Sequence, residues 1–568
     1  MSFQVSPSVE IREIDLTASV PAISTSIGAI AGSFTWGPVN QIVTVATENE
    51  LADVFGAPTD STFKYFLPAA QHLKYSSALR VVRTDREESY NATSGATEIT
   101  IRNEDDFEVT TFNADEQFVA KYPGELGNSI GVIVVSSEDA FESQSFTSRG
   151  FDQLFDSPPG TTSFAESRGA SDDELHIVVY DTNGRWTGVP GTVLERFAGL
   201  SQASDAKRSD GTNNFYLDVI NRRSRYVWAG EHSSQLTEAG ESVFSDSLAS
   251  GNSYTTETNI EEYILSSGSD GSEPETSVSE LTAAYELFNN AETVDIGILI
   301  GTDGGQDDVA LANNIIAIAE NRKDCVACVS PRVSRTVDSA DPVTDVKDWA
   351  DQITSSSYGI LDSTALYVLD KFNDKFRYIT AAGSIAGLLA NTDQVAETWF
   401  SPAGFSRGQL RGAVKLAFNP NKQERDTLYK ARVNPIVSFP GQGIVMFGDK
   451  TAQSAATAFD RINVRRLFIT LEKAISTAAQ AQLFEINDQF TRAQFRNLVE
   501  PFLRDVQGRR GVTDFNVICD ETNNTPEVVD SNRFVADIYV KPVRSINFIR
   551  LNFVAVRTGV EFSEIAGN

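Results

Sequence analysis

The sequence predicts a mixed α+β and α/β multidomain protein, and three observations carry that prediction. An apolar run over 294–300, a glycine turn, a helical pattern over 307–321 and a second apolar run over 325–329 read as a parallel βαβ unit. Val464, Phe468, Leu471 and Ile475 mark one face of a helix, and Phe495, Leu498, Val499, Phe502 and Leu503 mark another. Strands over 515–519, 534–540 and 546–556 then form a sheet against those helices. Third, both ends read as strands with no hairpin partner beside them. Val5, Val9 and Ile11 alternate with Ser6, Ser8, Glu10 and Arg12, and an apolar run over 548–556 is followed after Gly559 by a short extended piece over 560–563. Such ends either tuck into the chain's own sheet or add to the edge of a partner.

The remaining elements follow in order. Short strands are predicted over 27–34 and 41–45, separated by the turn Trp36-Gly37-Pro38, then a helix over 62–75 and a buried strand at Leu79, Val81 and Val82. After the turn Tyr122-Pro123-Gly124, strands are predicted over 130–135, 175–180 and 216–218. Residues 231–280 hold eleven acidic residues and no Lys or Arg in a Ser/Thr/Gly-rich context, which reads as exposed loops. A strand over 366–369 and a small-residue helix over 385–390 lead to the C-terminal helices, where Pro501 is a candidate kink.

Composition bounds the function. At 568 residues and 41% hydrophobic content the chain can build several cores, roughly three to four domains by length. The first residues have no basic and apolar leader pattern, and no apolar run is long enough to span a bilayer, so secretion and membrane insertion are disfavoured. Three cysteines fit assembly in a reducing cytoplasm. The net charge of −31 argues against general nucleic-acid binding. It is also uneven: residues 381–568 hold 22 Lys and Arg against 19 Asp and Glu, a net of +3, whereas residues 1–380 hold 25 against 59, a net of −34. The two regions face different environments.

Candidate chemistry is thin. Gly301-Thr302-Asp303-Gly304-Gly305 sits between strand and helix, yet it lacks the Gly-Lys-Ser/Thr ending of a phosphate loop and the spacing of a dinucleotide fingerprint. Asp303, Asp307 and Asp308 would repel phosphate and suit a helix N-terminus instead. Cys325 and Cys328 have redox spacing but fall in a predicted strand, so buried structural thiols are expected, like Cys519. His72, His176 and His232 are scattered, so no metal site, cofactor or catalytic residue is predicted. The basic residues Arg461, Arg465 and Arg466, with Arg461 and Arg465 four apart on one predicted helix face, and Arg509 and Arg510, read either as a solvated face or as contacts to an acidic partner.

A series of segments, in order, resembles the tail sheath proteins of contractile-tailed bacteriophages. They include Ser6-Pro7-Ser8-Val9-Glu10, Phe34-Thr35-Trp36-Gly37-Pro38, Phe55-Gly56-Ala57-Pro58, Leu79-Arg80-Val81-Val82-Arg83 and Tyr122-Pro123-Gly124-Glu125-Leu126-Gly127-Asn128. The C-terminal half adds Trp399-Phe400-Ser401-Pro402-Ala403-Gly404-Phe405-Ser406-Arg407-Gly408, Phe447-Gly448-Asp449-Lys450-Thr451, Phe459-Asp460-Arg461-Ile462-Asn463-Val464-Arg465-Arg466-Leu467-Phe468 and Cys519-Asp520-Glu521-Thr522-Asn523-Asn524-Thr525-Pro526. The ending Asn552-Phe553-Val554-Ala555-Val556-Arg557-Thr558-Gly559 completes the series.

The resemblance implies a non-enzymatic structural subunit of hexameric rings stacked helically around a tail tube, whose contraction drives the tube through the host envelope. Its partners would be further copies, the tube protein, and baseplate and tail terminator proteins, in a virion assembled in the host cytoplasm. It implies a core built from N- and C-terminal regions and an outward-facing β-rich insertion. The divisions expected are an arm over 1–20, a middle α/β domain over 21–92 with 285–380, an acidic insertion over 93–284, a C-terminal core over 381–556 and an arm over 557–568. Val5, Val9, Ile11, Ile14 and Leu16 in the first arm, and Val560, Phe562 and Ile565 in the last, are expected to add strands to neighbouring subunits. Arg461, Arg465, Arg466, Arg509 and Arg510 are the candidate contacts to the tube or a neighbour. Only a short stretch separates Val82 from Tyr122-Pro123-Gly124, so an outer domain of larger members is expected to be missing. A sheath from a non-viral contractile injection machine and a surface binding module are the alternatives.

Overall fold

A computed structural model describes residues 25–113, 116–230, 244, 247–271 and 276–547. The chain is α/β in one part and α+β in another, and it separates into two compact units. Among the described residues, the larger unit takes 25–395 and 402–462, and the smaller takes 396–401 and 463–547.

The larger unit is organised by a seven-stranded sheet in the order Val433–Asn434, Gly359–Asp362, Val326–Val329, Ile298–Ile300, Gly28–Gly32, Leu79–Arg83, Ile42–Val45. All neighbours are parallel except the last pair. Parallel strands joined by crossovers have both faces covered, which is why these segments are continuous apolar runs rather than alternating ones. Every residue of Gly28–Gly32, Val326–Val329 and Gly359–Asp362 is buried. The helices Phe63–Leu73 and Ala382–Val395 pack against each other, as do Val278–Glu286 and Asp308–Arg322. The first pair approaches so closely that a Cβ on Gly383 would stand 2.0 Å from the Pro68 carbonyl oxygen, so only glycine fits there.

A second sheet within this unit is antiparallel, in the order Glu261–Ile264, Ile130–Val135, Glu174–Asp181, Thr192–Ser201. Its two central strands are apolar on both faces. Ile130, Val132, Leu175 and Ile177 belong to one core cluster, and Ile133, Val135, Val178 and Tyr180 to another. A third sheet holds Lys375–Ile379, Leu366–Asp370 and Ala413–Leu416 in that order, all antiparallel.

The smaller unit packs the helix Ile462–Gln480, less its first residue, and the helix Gln489–Gly508 against a hairpin of Val512–Ile518 with Asp537–Pro542. Leu467, Leu471, Phe495, Val499, Leu503, Val512 and Val517 share one apolar core. Pro501 is accommodated within the helix Gln489–Gly508, which Asp488 caps by accepting from the Thr491 amide at 2.8 Å.

Several expectations need correction. Residues 216–218 form no strand; Tyr216–Arg223 is a helix whose Tyr216, Val219 and Ile220 are buried at spacings of three and four. That spacing outweighs the β propensity of the single tyrosine. The strand expected over 294–300 is confined to Ile298–Ile300, because the Val294 amide instead donates to the Asn290 carbonyl in a turn at 3.2 Å. Position 381 does not divide the compact units: Ala382–Val395 lies on the larger unit's helical layer and Val433–Asn434 is its edge strand.

Candidate functional site

The candidate functional elements are the places where the motif segments meet. Arg83 ends the strand Leu79–Arg83 with a charge in a buried position. Its guanidinium donates to the Gly37 carbonyl at 2.9 Å and to the Pro123 carbonyl at 2.7 Å, joining two motif turns. Burial lowers its pKa to about 10, so it stays charged at neutral pH. Beside it the Trp36 ring meets Tyr122 edge-on at 5.4 Å and Trp186 at 4.9 Å. Thr35 completes the junction by donating to the carbonyls of Phe55 and Ala57, which fixes the turn at Gly56, where φ is 77°.

The second junction joins Phe447-Gly448-Asp449-Lys450-Thr451 to Phe459-Asp460-Arg461. The Ile462 amide donates to the Asp449 carbonyl at 2.9 Å, and the Thr451 amide to the Asp460 carbonyl at 3.1 Å. Arg461 donates to the Tyr429 hydroxyl at 2.6 Å and stands 3.3 Å from Asp449. Tyr429 donates in turn to Asp449 at 3.2 Å, and burial pushes its phenol up to about 12. The Lys450 ammonium donates to the Tyr429 carbonyl at 2.7 Å and lies 4.3 Å from its ring centre. The Asn434 amide binds the same segment from the sheet edge: it donates to the Leu361 and Lys450 carbonyls at 2.9 and 2.8 Å and accepts from the Lys450 amide at 2.8 Å.

The predicted site residues do not form one patch. Arg461 precedes the helix Ile462–Gln480 in extended backbone, so the four-residue spacing to Arg465 does not put the two on one helix face. Arg465 and Arg466 are buried, 7% and 3% exposed. The solvated-face reading fails for both. Arg509 and Arg510 are exposed. Arg509 pairs with Asp505 at 3.1 Å and with Glu397 at 3.3 Å. Val5, Val9, Ile11, Ile14, Leu16, Val560, Phe562 and Ile565 lie outside the described residues.

The glycine loop is structural as described. The Asp303 carboxylate accepts from the amides of Gly305 at 2.9 Å and Val333 at 3.3 Å, and burial raises its pKa. Asp308 takes both arms of the Arg335 fork, at 2.7 and 2.9 Å. Cys325, Cys328 and Cys519 are buried and form no disulfide. His72 and His176 lie in separate environments, His176 stacked on Phe155 at 4.4 Å, while His232 lies outside the described residues. Among the described residues no three His, Cys, Asp or Glu side chains gather as metal ligands, and no helix is long and apolar enough to cross a membrane.

Sequence reasoning missed two features. The first is the buried bridging role of Arg83, whose only signal was a charge ending an apolar strand. The second is the extent of the C-terminal sheet: the strands predicted over 515–519 and 534–540 are present as Val512–Ile518 and Asp537–Pro542 and pair with each other, but among the described residues they form a sheet of two strands only, and 548–556 lies outside those residues.

Three family models match successive parts of the chain: "Tail sheath protein Gp18 domain III N-terminal region" over residues 25–84, "Phage tail sheath protein central domain" over 280–452, and "Phage tail sheath C-terminal domain" over 454–555. The tail sheath protein of Vibrio phage KVP40 is 32% identical over 671 aligned positions, covering 99% of this chain and 100% of the relative. The chain belongs to the phage tail sheath proteins. The tail sheath protein of Enterobacteria phage T4 is likewise 32% identical, with 99% of each chain covered. Both alignments are longer than the 568 residues here, so these relatives carry segments that this chain lacks. The crystal structure of a sheath tail protein from Desulfitobacterium hafniense has the same fold, with a TM-score of 0.52 at 13% identity over 95% of this chain and 100% of that one. The chain is thus a structural sheath subunit of a contractile phage tail.

Proposed function

We propose that the chain forms hexameric rings stacked helically around a tail tube, and that its terminal arms add strands to the sheets of neighbouring copies so that the array stays connected as it contracts. The hairpin of Val512–Ile518 with Asp537–Pro542 carries this reading. It rests one face on the helix Gln489–Gly508, and among the described residues the outer edge of each strand is unpaired. Two incoming strands would complete it. Each added backbone hydrogen bond contributes about 0.5–1.5 kcal/mol, so an arm with several of them holds a neighbour while its flanking loop turns.

The rigid cores then rotate without disconnecting. A contracted lattice lower in free energy than the extended one supplies the work with no nucleotide, since a small gap per subunit is multiplied over the array. No catalysis, cofactor or nucleic-acid contact is part of this function, and no part of the chain inserts directly into a membrane. The partners are the tube protein and the baseplate and terminator proteins, in a virion assembled in the host cytoplasm. The acidic insertion over 93–284 faces outward. Arg509 and Arg510 are the exposed basic residues available to a tube or neighbour.

Electron microscopy of the purified chain tests the linkage, with and without residues 1–16 or 558–568. Intact chains should form sheath-like tubes and trimmed chains should not. Tubes unchanged by trimming would remove the arms from the mechanism.

A further inference from the structure

The three-stranded sheet of Leu366–Asp370, Lys375–Ile379 and Ala413–Leu416 is apolar on both faces, and among the described residues only one face is covered. Leu366, Val368 and Ile379 point into the larger unit and are buried. Alternation along the strands turns Tyr367 and Leu369 to the other side, opposite Tyr378 and Phe376 in register. Leu369, Phe376 and Val414 are 45%, 49% and 61% exposed. The Tyr367 ring lies 4.6 Å from Tyr378 and 5.3 Å from Phe376, so the aromatic side chains form a continuous surface. A contiguous exposed patch of this kind marks an interface.

Charge selects the occupant. The Lys415 ammonium lies 4.5 Å from the Tyr367 ring centre and 5.5 Å from that of Tyr378, and it has no carboxylate partner among the described residues. The other cations at this sheet are satisfied within the chain: Lys371 by Glu48 at 3.1 Å, Lys375 by Asp60 at 3.6 Å and Arg377 by Asp370 at 2.9 Å. Lys415 thus offers an aromatic-backed cation to an incoming carboxylate. Residues 1–380, with a net charge of −34, supply such groups on every copy.

We infer that this face docks an acidic surface from residues 1–380 of a second copy, seated on Leu369 and Phe376 with a carboxylate on Lys415. The inference rests on the sheath reading, in which identical copies surround one another. It differs from strand addition because it uses side chains on a sheet face rather than a backbone edge.

The test uses the full chain. Equal amounts of unlabelled and 15N-labelled protein are assembled and treated with a zero-length carbodiimide, and joined peptides are identified by mass spectrometry. Lys415 should be joined to Asp or Glu of residues 1–380 in peptide pairs of mixed label. Two variants accompany it. Phe376→Glu should lower polymer yield at least about tenfold with an unchanged melting temperature, and Lys415→Glu should abolish the crosslink and weaken assembly most at low salt. A chain that forms no polymer refutes the sheath reading and this surface with it. Polymers in which Lys415 gives only same-label pairs, or in which both variants assemble as the parent does, overturn the docking surface and leave the sheath reading standing.

Discussion

The seven-stranded sheet and the C-terminal hairpin are both β-structure, but the strands of one are largely buried and those of the other are covered on one face only. The sheet has helices packed against its strands, and its inner strands Gly28–Gly32, Ile298–Ile300, Val326–Val329 and Gly359–Asp362 are fully buried. The hairpin rests one face on the helix Gln489–Gly508 and keeps two open edges among the described residues. A sheet buried on both sides resists deformation because any shift breaks close packing. A two-stranded ribbon resting on a helix is ordered by that contact and still leaves its backbone edges open to a further strand. The chain thus combines a sheet enclosed within the larger unit with a ribbon that is covered on one face and, under the proposed assembly, offers its edges to neighbours.

The largest test of that contrast is Trp349→Ala. Trp349 is fully buried in the helix Pro342–Gln352, and its truncation should cost about 3–5 kcal/mol. Denaturant unfolding of the isolated chain should show the loss, because the larger unit needs no partner to be folded. An isolated chain as stable as the parent would mean that this core is not closed.

The next test is pH. Burial pushes Asp362 up to about 7, against about 3.9 for an unfolded aspartate. Between those values the folded chain holds the extra proton, so the contribution of Asp362 to stability is complete below about 3.9 and falls as pH rises toward 7. The slope is about 1.4 kcal/mol per pH unit. Burial also draws His72 down to about 4, and its contribution, present above the ordinary value of about 6.5, is lost as pH falls. The two oppose each other in the acid range. Asp362→Asn should therefore remove the loss toward neutral pH and leave stability that declines only with acid, measured by urea unfolding at about pH 4.5 and about pH 7.5.

The smallest effect on the isolated chain should come from the hairpin. Tyr539 is 59% exposed, and Tyr539→Lys should change the stability of the isolated chain by no more than about 0.5 kcal/mol. Sheath yield by electron microscopy should nevertheless fall. A substantial loss of monomer stability would show that the hairpin is already complete in one copy.

What could be read from sequence follows the same division. The segments Ile130–Val135 and Glu174–Asp181 were legible because burial on both faces leaves an uninterrupted apolar run. The helix Asp308–Arg322 was legible from its periodicity and the glycine turn before it. Tyr216 misled because three residues cannot separate a strand from a helical turn. The basic residues misled for another reason: helix-face reasoning requires the helix to have begun, and Arg461 stands one residue before it. Burial of Arg465 and Arg466 was invisible because charge signals exposure unless the surrounding packing is known. The hairpin's open edges depend on strand order, which a single sequence does not encode locally.

The Asn434 side chain has a consequence for exchange with solvent. Because its oxygen holds the Lys450 amide while its nitrogen holds the Leu361 and Lys450 carbonyls, that hydrogen cannot leave until the sheet edge parts from the motif segment. Deuterium uptake at Lys450 therefore times the opening of one sheet edge in a protein of 568 residues. A fast-exchanging Lys450 in the free chain and a slow one in the assembled sheath would measure how far the lattice clamps the edge of a body already folded on its own.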